Sequence, residues 1–552
     1  MKKGMFCMLL VLLSSCVGCF TGLSGVVIDE KGRPVEGAVV RIQTTEVETV
    51  SDKDGHFVLT DLPPAEEFFV TAWSPGFFII GMVTQPGDKN FEIELQAHSA
   101  EDHPDYAWLP SEFHPGAGED QGCAACHSNV ESEDSTMLPV DEWLLDAHSQ
   151  SAKNPRFITM YKGTDMNGNQ SPPTRFGTSQ DYGSFPLPPD PSKPYYGPGY
   201  KLDFPNADGN CAACHTPAAS VNEPYNIDPT NVTGVAAEGV PCDFCHKIWD
   251  VKLDPSTQMV QPNMPGVLSY EFRRPPEGHQ FFAGPLDDVA PGEDTYSPLQ
   301  QESAYCAPCH QTIFWDTMIY NSYGEWLESS YSNLETGQTC QDCHMPVGLA
   351  NHFALAEEGG LVRDPETISS HKMLGAMDLE FMQEAATMTV SADLVGEEIN
   401  VRVEIFNGNT GHHIPTDSPL RHLILVVEVE DAAGKTLELL DGPLVEDYAG
   451  IGNPEDGYYA GLPGVVYAKI LEDLWTEITP SGSYWNPTRL ISDNRIPALE
   501  TASSEYTFSA PEQRESTITV RLIFRRAFIE LMEQKGWKVP DILMAEEMIT
   551  LN

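Results

Sequence analysis

Thr339-Cys340-Gln341-Asp342-Cys343-His344-Met345-Pro346 holds two cysteines three positions apart, with a histidine directly after the second. The same unit occurs four more times, as Cys123-Ala124-Ala125-Cys126-His127, Cys211-Ala212-Ala213-Cys214-His215, Cys242-Asp243-Phe244-Cys245-His246 and Cys306-Ala307-Pro308-Cys309-His310. Of the 13 cysteines, these units take ten; Cys7, Cys16 and Cys19 lie near the start of the chain. Thiols three positions apart share one side of a helical turn. Each can then form a thioether with one vinyl group of a haem, and the adjacent histidine sits beneath the ring and offers nitrogen to the iron. Five disulfides would need neither the fixed spacing nor the histidine. A dithiol redox motif explains one such pair and not five, and zinc sites do not call for an unvarying histidine. The pattern therefore predicts five covalently bound haem c groups, with His127, His215, His246, His310 and His344 as proximal iron ligands.

There are 16 histidines, so eleven remain for the opposite faces of five irons. His148 ends Asp141-Glu142-Trp143-Leu144-Leu145-Asp146-Ala147-His148, an amphipathic stretch read as a helix over 141–151. His279 follows Arg273-Arg274-Pro275-Pro276-Glu277-Gly278 in a breaker-rich loop. His371 lies downstream of the last unit, in Ser370-His371-Lys372-Met373-Leu374-Gly375. His412 falls in Asn409-Thr410-Gly411-His412-His413-Ile414-Pro415-Thr416, a turn between strand-like runs, and His114 in Phe113-His114-Pro115. These five are the candidate distal ligands, with His103 and His413 as substitutes. His56, His98, His352 and His422 are read as ordinary histidines, and Met345 as packing at a haem periphery.

Working outward, residues 22–97 alternate as strands do: Val26-Val27-Ile28, Ala38 to Ile42, Phe57-Val58-Leu59, Phe68 to Trp73 and Phe91 to Leu95, with turns at Lys31-Gly32-Arg33-Pro34 and Asp52-Lys53-Asp54-Gly55. Gly25-Val26-Val27, Pro34-Val35-Glu36-Gly37-Ala38-Val39 and Asp52-Lys53-Asp54-Gly55-His56-Phe57 resemble the carboxypeptidase regulatory-like, transthyretin-type domains. That resemblance implies a spacer or adhesion module without catalytic residues. Residues 99–378 are rich in Pro and Gly, as in Ser184 to Pro191 and Pro194 to Gly199. Such breaker content argues against a conventional core, and the haems are expected to supply one, with a second short helix over 323–329. From about 385 the chain alternates again, at Ala386–Val390, Ile399–Ile405, Leu423–Val429, Glu505–Phe508 and Ser516–Ile523, before a helix over 526–534. The predicted fold is multidomain: two β-sandwich domains flanking a loop-rich, partly helical domain organised around five covalently bound haems. The expected divisions are a lipoprotein signal peptide (1–16), a carboxypeptidase regulatory-like β-sandwich (17–98), a pentahaem cytochrome c domain (99–378) and a C-terminal β-sandwich with a terminal helix (379–552).

Lys2 and Lys3 followed by an apolar stretch, Met5 to Leu13, read as an export signal too short to span a bilayer. Leu13-Ser14-Ser15-Cys16 resembles a bacterial lipobox, which implies cleavage before Cys16 and its acylation as a lipid anchor. The expected location is thus exported and lipid-anchored, at the outer membrane on its periplasmic face or at the cell surface. The 552-residue chain carries 82 Asp plus Glu against 31 Lys plus Arg, a formal charge of −51. A surface so acidic excludes nucleic acid as a partner.

From about residue 110 onward the chain resembles multihaem cytochromes related to tetrahaem cytochrome c and hydroxylamine oxidoreductase. The resemblance is carried by Trp143 with His148, Tyr323-Gly324-Glu325-Trp326 before the last unit, Gly411-His412-His413-Ile414-Pro415-Thr416, and Arg495-Ile496-Pro497-Ala498-Leu499-Glu500. Asp146, where a serine is common, and Asp417, where a glycine often follows Pro-Thr, depart from the pattern. The resemblance implies bis-histidine ligation and electron transfer along close-packed haems in an exported respiratory or extracellular chain. Its expected partners are redox proteins: other cytochromes, quinol-oxidising or outer-membrane complexes. No catalytic residue is expected on that reading. Two alternatives remain open: a multihaem oxidoreductase acting on a small nitrogen or sulfur species at an iron with an open position, and a polymeric haem wire.

Overall fold

The computed structural model describes residues 22–112, 122–129, 136–181, 183–280, 282–289, 293–512 and 515–552. The chain is multidomain and sheet-rich, with several sheets and short helices. It divides into two compact units: residues up to His98 together with Leu286–Tyr296, and Ser99–Pro285 together with Ser297–Asn552. No described helix is long and apolar enough to cross a membrane.

In the first unit, Leu23–Asp29 pairs antiparallel with His56–Leu59 and parallel with Phe91–Leu95. A second sheet runs Glu48–Val50, Val39–Ile42, Phe68–Trp73, Ile80–Thr84 in spatial order. The alternating apolar residues meet between the sheets, where Val27, Val40, Leu59, Val70, Ile93 and Leu95 are buried. Gly25 is required by the parallel pairing, since a Cβ there would lie 1.8 Å from the Phe91 carbonyl oxygen. The segment Leu286–Tyr296 belongs to this unit although its sequence lies amid the cysteine units. Asp287, fully buried, accepts a 2.8 Å hydrogen bond from Thr71 Oγ1, and Thr295 Oγ1 donates to the Phe77 carbonyl at 2.8 Å.

In the second unit, each cysteine motif forms a single helical turn: Ala124–His127, Ala212–His215, Cys242–Cys245, Ala307–His310 and Cys340–His344. The helix expected over 323–329 is Ser322–Glu328. The one expected over 141–151 is only Pro139–Trp143. The Asp146 carboxylate takes the His148 backbone N–H at 2.8 Å, and a side chain capturing a nearby amide in this way turns the chain.

Short two-stranded ladders link the motifs, and from residue 387 the unit is a two-sheet sandwich. One sheet orders Thr387–Val395, Glu398–Phe406, Thr501–Ser509 and Leu439–Asp441; the other orders Thr488–Asp493, Gly464–Asp473, His422–Asp431, Ser516–Arg525 and Ile542–Leu551. Strand His422–Asp431 is buried on both faces, which its unbroken apolar run requires. Leu423, Leu425 and Val427 enter the inter-sheet core, while Ile424 and Val426 pack with Phe528, Met532 and Trp537. The helix, Ile529–Lys535, is not terminal: Ile542–Leu551 follows and closes the sheet edge against Ser516–Arg525. Lys535 Nζ donates to the carbonyls of Thr159 (3.0 Å), Thr164 (3.1 Å) and Pro198, joining the sandwich to the motif-bearing segment.

Candidate functional site

The helical turns set each motif's two cysteines and histidine on one short segment. All ten motif cysteines are half-buried and unbridged. Thiols of different motifs lie close enough to influence one another: Cys123 and Cys242, Cys214 and Cys309, Cys306 and Cys340. Motifs far apart in sequence are therefore neighbours in space.

Four motif histidines place Nδ1 against a backbone carbonyl: His127 on Phe353 (2.7 Å), His215 on Ser151 (3.3 Å), His246 on Ala283 (2.8 Å) and His344 on Leu374 (2.5 Å). A carbonyl only accepts, so Nδ1 carries the proton and Nε2 keeps its lone pair for a metal. Burial pushes His215 and His344 down to about 4 and lowers His246, so each imidazole is held neutral, the form that ligates. His310 differs. Burial opposes its charge, but Asp417, with Oδ1 3.8 Å from Nδ1, outweighs burial and pushes it up to about 9.

Three candidate distal histidines face motif histidines. His371 faces His246 with ring centroids 6.5 Å apart and planes 20° apart. His412 faces His344 at 6.3 Å and 21°, and His148 faces His310 at 6.2 Å and 75°. Two imidazoles bonded on opposite sides of one metal, each nitrogen about 2 Å away, leave ring centres about 6 Å apart. The spacing thus fits a single iron between each pair, and the free thiols beside them fit a covalently attached haem. His371 is also held neutral, pushed down to about 4 by burial and by His246 and His127.

The other candidates are placed differently. His279 is exposed in the turn after Pro276, its backbone N–H on the Pro276 carbonyl at 3.1 Å. His114 and Cys16 lie outside the described residues. His215 carries the Phe157 ring stacked on it at 3.6 Å and 3°, and the His127 ring lies against Phe353 at 5.9 Å. Of the substitutes, His103 donates its backbone N–H to the Arg274 carbonyl, and His413 donates its own to Glu325 Oε2 at 3.1 Å.

The roles of the residues that fix the candidate ligands are set by tertiary contacts and could not be read from the sequence. Glu142 Oε2 accepts the His371 backbone N–H at 2.7 Å, anchoring one distal segment. Glu325, ion-paired to Arg495 at 2.7 Å, accepts the Thr416 hydroxyl at 2.5 Å and so fixes the turn carrying His412. Asp146 Oδ2 lies 2.6 Å from His148 Nδ1. Glu325 and Arg495 both stand in segments that carry the resemblance, but no spacing links them.

Residues 22–88 match the carboxypeptidase regulatory-like domain. The chain begins its described part with that module. Among solved structures, a penta-haem cytochrome c552 from Thermochromatium tepidum aligns over 78% of this chain and 97% of its own, at 18% identity and a TM-score of 0.50. This likeness is one of fold. A type II cohesin–X-dockerin complex from Acetivibrio cellulolyticus aligns over 14% of this chain and 58% of its own (18% identity, TM-score 0.13). The Fcho1 Mu homology domain of Danio rerio aligns over 31% and 44% (8% identity, TM-score 0.12). No curated protein matches the chain in sequence.

Proposed function

We propose that the chain is a multihaem c-type cytochrome that carries electrons through five haem c groups in an exported respiratory or extracellular electron-transfer chain. The observation that carries this reading is the set of three facing imidazole pairs at 6.2–6.5 Å. The ten motif cysteines would form the thioethers, His127, His215, His246, His310 and His344 would hold the proximal positions, and His148, His371 and His412 three of the distal ones. Haem c supplies a one-electron ferric–ferrous couple at each site. An iron with both axial positions filled by protein has none left for a substrate, which suits conduction. The closeness of thiols from different motifs supports short distances between neighbouring sites. The shared fold with a penta-haem cytochrome supports the same reading. His114 and His279 remain the proposed ligands for the other two irons.

With it we propose anchoring through an acylated Cys16 at the outer membrane, and redox proteins as partners. The lipobox-like Leu13-Ser14-Ser15-Cys16 supports the anchor, and the acidic composition favours partners with a cationic docking face.

A pyridine haemochrome count with an electron paramagnetic resonance spectrum of the oxidised protein tests the proposal. Five haems with only low-spin signals are expected. A high-spin component would place an open position at the His127 or His215 site and turn the reading to an oxidoreductase for a small nitrogen or sulfur species. Absence of covalent haem would end the proposal altogether.

A further inference from the structure

Among the facing imidazole pairs described, His148–His310 alone has a carboxylate behind both ring Nδ1 atoms. Asp146 Oδ2 sits 2.6 Å from His148 Nδ1 and also takes the His148 backbone N–H at 2.8 Å, so its position is fixed from two directions. Its side chain is 3% exposed. No cation pairs with it among the described residues. On the other side Asp417 Oδ1 lies 3.8 Å from His310 Nδ1, too long for a hydrogen bond but close for an electrostatic contact. Asp417 is shared with Arg421 at 3.7 Å and Ser322 Oγ at 3.4 Å, so its charge is partly offset. In the other two pairs the ring contacts run to neutral carbonyls: His246 to Ala283, His344 to Leu374 and His412 to His413.

We infer that Asp146, assisted by Asp417, makes the His148–His310 haem the lowest-potential site of the chain. This rests on the reading of His148 and His310 as the two axial ligands of one iron. An imidazole whose Nδ1–H donates to a carboxylate gains negative charge at Nε2 and becomes the stronger donor to the metal. Ferric iron carries one more positive charge than ferrous and gains more from that donation, so the reduction potential falls. Burial strengthens the effect, because a carboxylate out of water is poorly screened. Asp146 and Asp417 are positioning residues: they act through the imidazoles and touch no reacting atom. The consequence is directional. An electron delivered to this site moves downhill to the others, so it would face the strongest donor the chain meets.

The test is spectroelectrochemical titration of the full-length holoprotein, wild type against Asp146→Asn, Asp146→Glu and Asp417→Asn, with haem count and low-spin spectra checked in each. Asn keeps the shape and an acceptor and removes the charge. Asp146→Asn is expected to weaken the ferric preference of the lowest-potential site about tenfold, raising that wave by about 59 mV for one electron while the other four hold. Asp146→Glu should restore most of the shift, and Asp417→Asn should raise the same wave by less. If Asp146→Asn does not load its haems, the rise in Asp417→Asn decides. An unmoved lowest wave overturns the inference, as does a shift shared equally by all five. His148→Ala separates this from the underlying reading. A new high-spin haem in that variant beside unmoved potentials in Asp146→Asn sinks the inference alone, whereas no high-spin signal in His148→Ala sinks both.

Discussion

The rings of His344 and His412 face each other 6.3 Å apart, their planes inclined by only 21°. His344 ends the last motif turn and His412 sits in the turn that follows the Glu398–Phe406 strand, so on the proposed ligation the sandwich supplies the second ligand of this iron. Removing the distal ring should open one iron and leave the thioethers intact. His412→Ala is expected to show a high-spin ferric signal and ferrous carbon monoxide binding, with the haem count unchanged. His371→Ala should do the same at the site of His246, 6.5 Å away. A purely low-spin spectrum in either variant would remove that histidine from the ligand set.

Ring orientation offers a check without mutation. The His246–His371 and His344–His412 planes lie 20° and 21° apart, whereas those of His148 and His310 lie 75° apart. Nearly parallel imidazoles separate the iron d orbitals that lie along the ligand planes, while nearly perpendicular ones leave them close in energy. The oxidised protein should therefore give rhombic low-spin signals together with one strongly anisotropic signal at lower field. That low-field signal should be absent from His148→Ala. Its persistence there would mean the perpendicular pair lies elsewhere.

The motifs were legible because their chemistry is local. Two thiols and a histidine within five residues need one helical turn, and the structure gives each motif that turn. All five candidate distal histidines are chosen from local context, but which ring faces which is a matter of tertiary placement: His371 meets His246 and not the nearer motif ending at His344. Asp146 and Asp417 drew notice only as departures from a family pattern, and the structure sets them behind opposite rings of one pair. The strands Gly464–Asp473 and Ile542–Leu551 were missed for different reasons. The first is buried at almost every position and shows no alternation. The second is an edge strand in which Glu546 and Glu547 interrupt the apolar pattern.

The docking of Leu286–Tyr296 into the first unit was equally invisible in sequence, because it rests on long-range bonds, among them those of one buried carboxylate. Asp287 is fully buried and holds Thr71 Oγ1 at 2.8 Å, while its backbone carbonyl accepts from Gln43 Nε2 at 3.2 Å. Asp287→Ala leaves the Thr71 hydroxyl buried without that acceptor, at a cost of about 1–3 kcal/mol. The full-length variant should be cut sooner by protease within residues 22–98 while the haem spectrum stays unchanged. Unaltered cleavage would mean this segment contributes little to the unit's stability.

Lys535 tests how the sandwich is held to the motif-bearing segment. Its ammonium satisfies the carbonyls of Thr159, Thr164 and Pro198, with its side chain fully buried. Lys535→Met keeps much of the volume; the Thr159 carbonyl retains the Gly163 and Thr164 N–H groups and the Thr164 carbonyl retains the Tyr195 hydroxyl, but the Pro198 carbonyl loses this donor, so a loss of about 1–3 kcal/mol is expected. Calorimetry of the holoprotein should show a lower melting temperature. An unchanged melt would show that the Trp537 Nε1 bond to Thr159 Oγ1, at 2.9 Å, is sufficient.

His422 supplies a pH dependence that is separate from the motif histidines. It is fully buried beside Phe528, ring centroids 5.1 Å apart, with Nδ1 donating to the Leu420 carbonyl at 3.1 Å. Burial, with Arg525 nearby, pushes it down to about 3 from an ordinary 6.5. Between those values the unfolded chain binds a proton at this histidine that the folded chain refuses. Stability is therefore lost as pH falls through that window, by about 2 kcal/mol at pH 5 from this residue. His422→Leu cannot bind the proton in either state. Whatever its offset at pH 7, the variant should lose less stability than wild type on going to pH 5, by about that amount. Equal losses in the two proteins would mean that His422 takes up its proton without unfolding the sandwich.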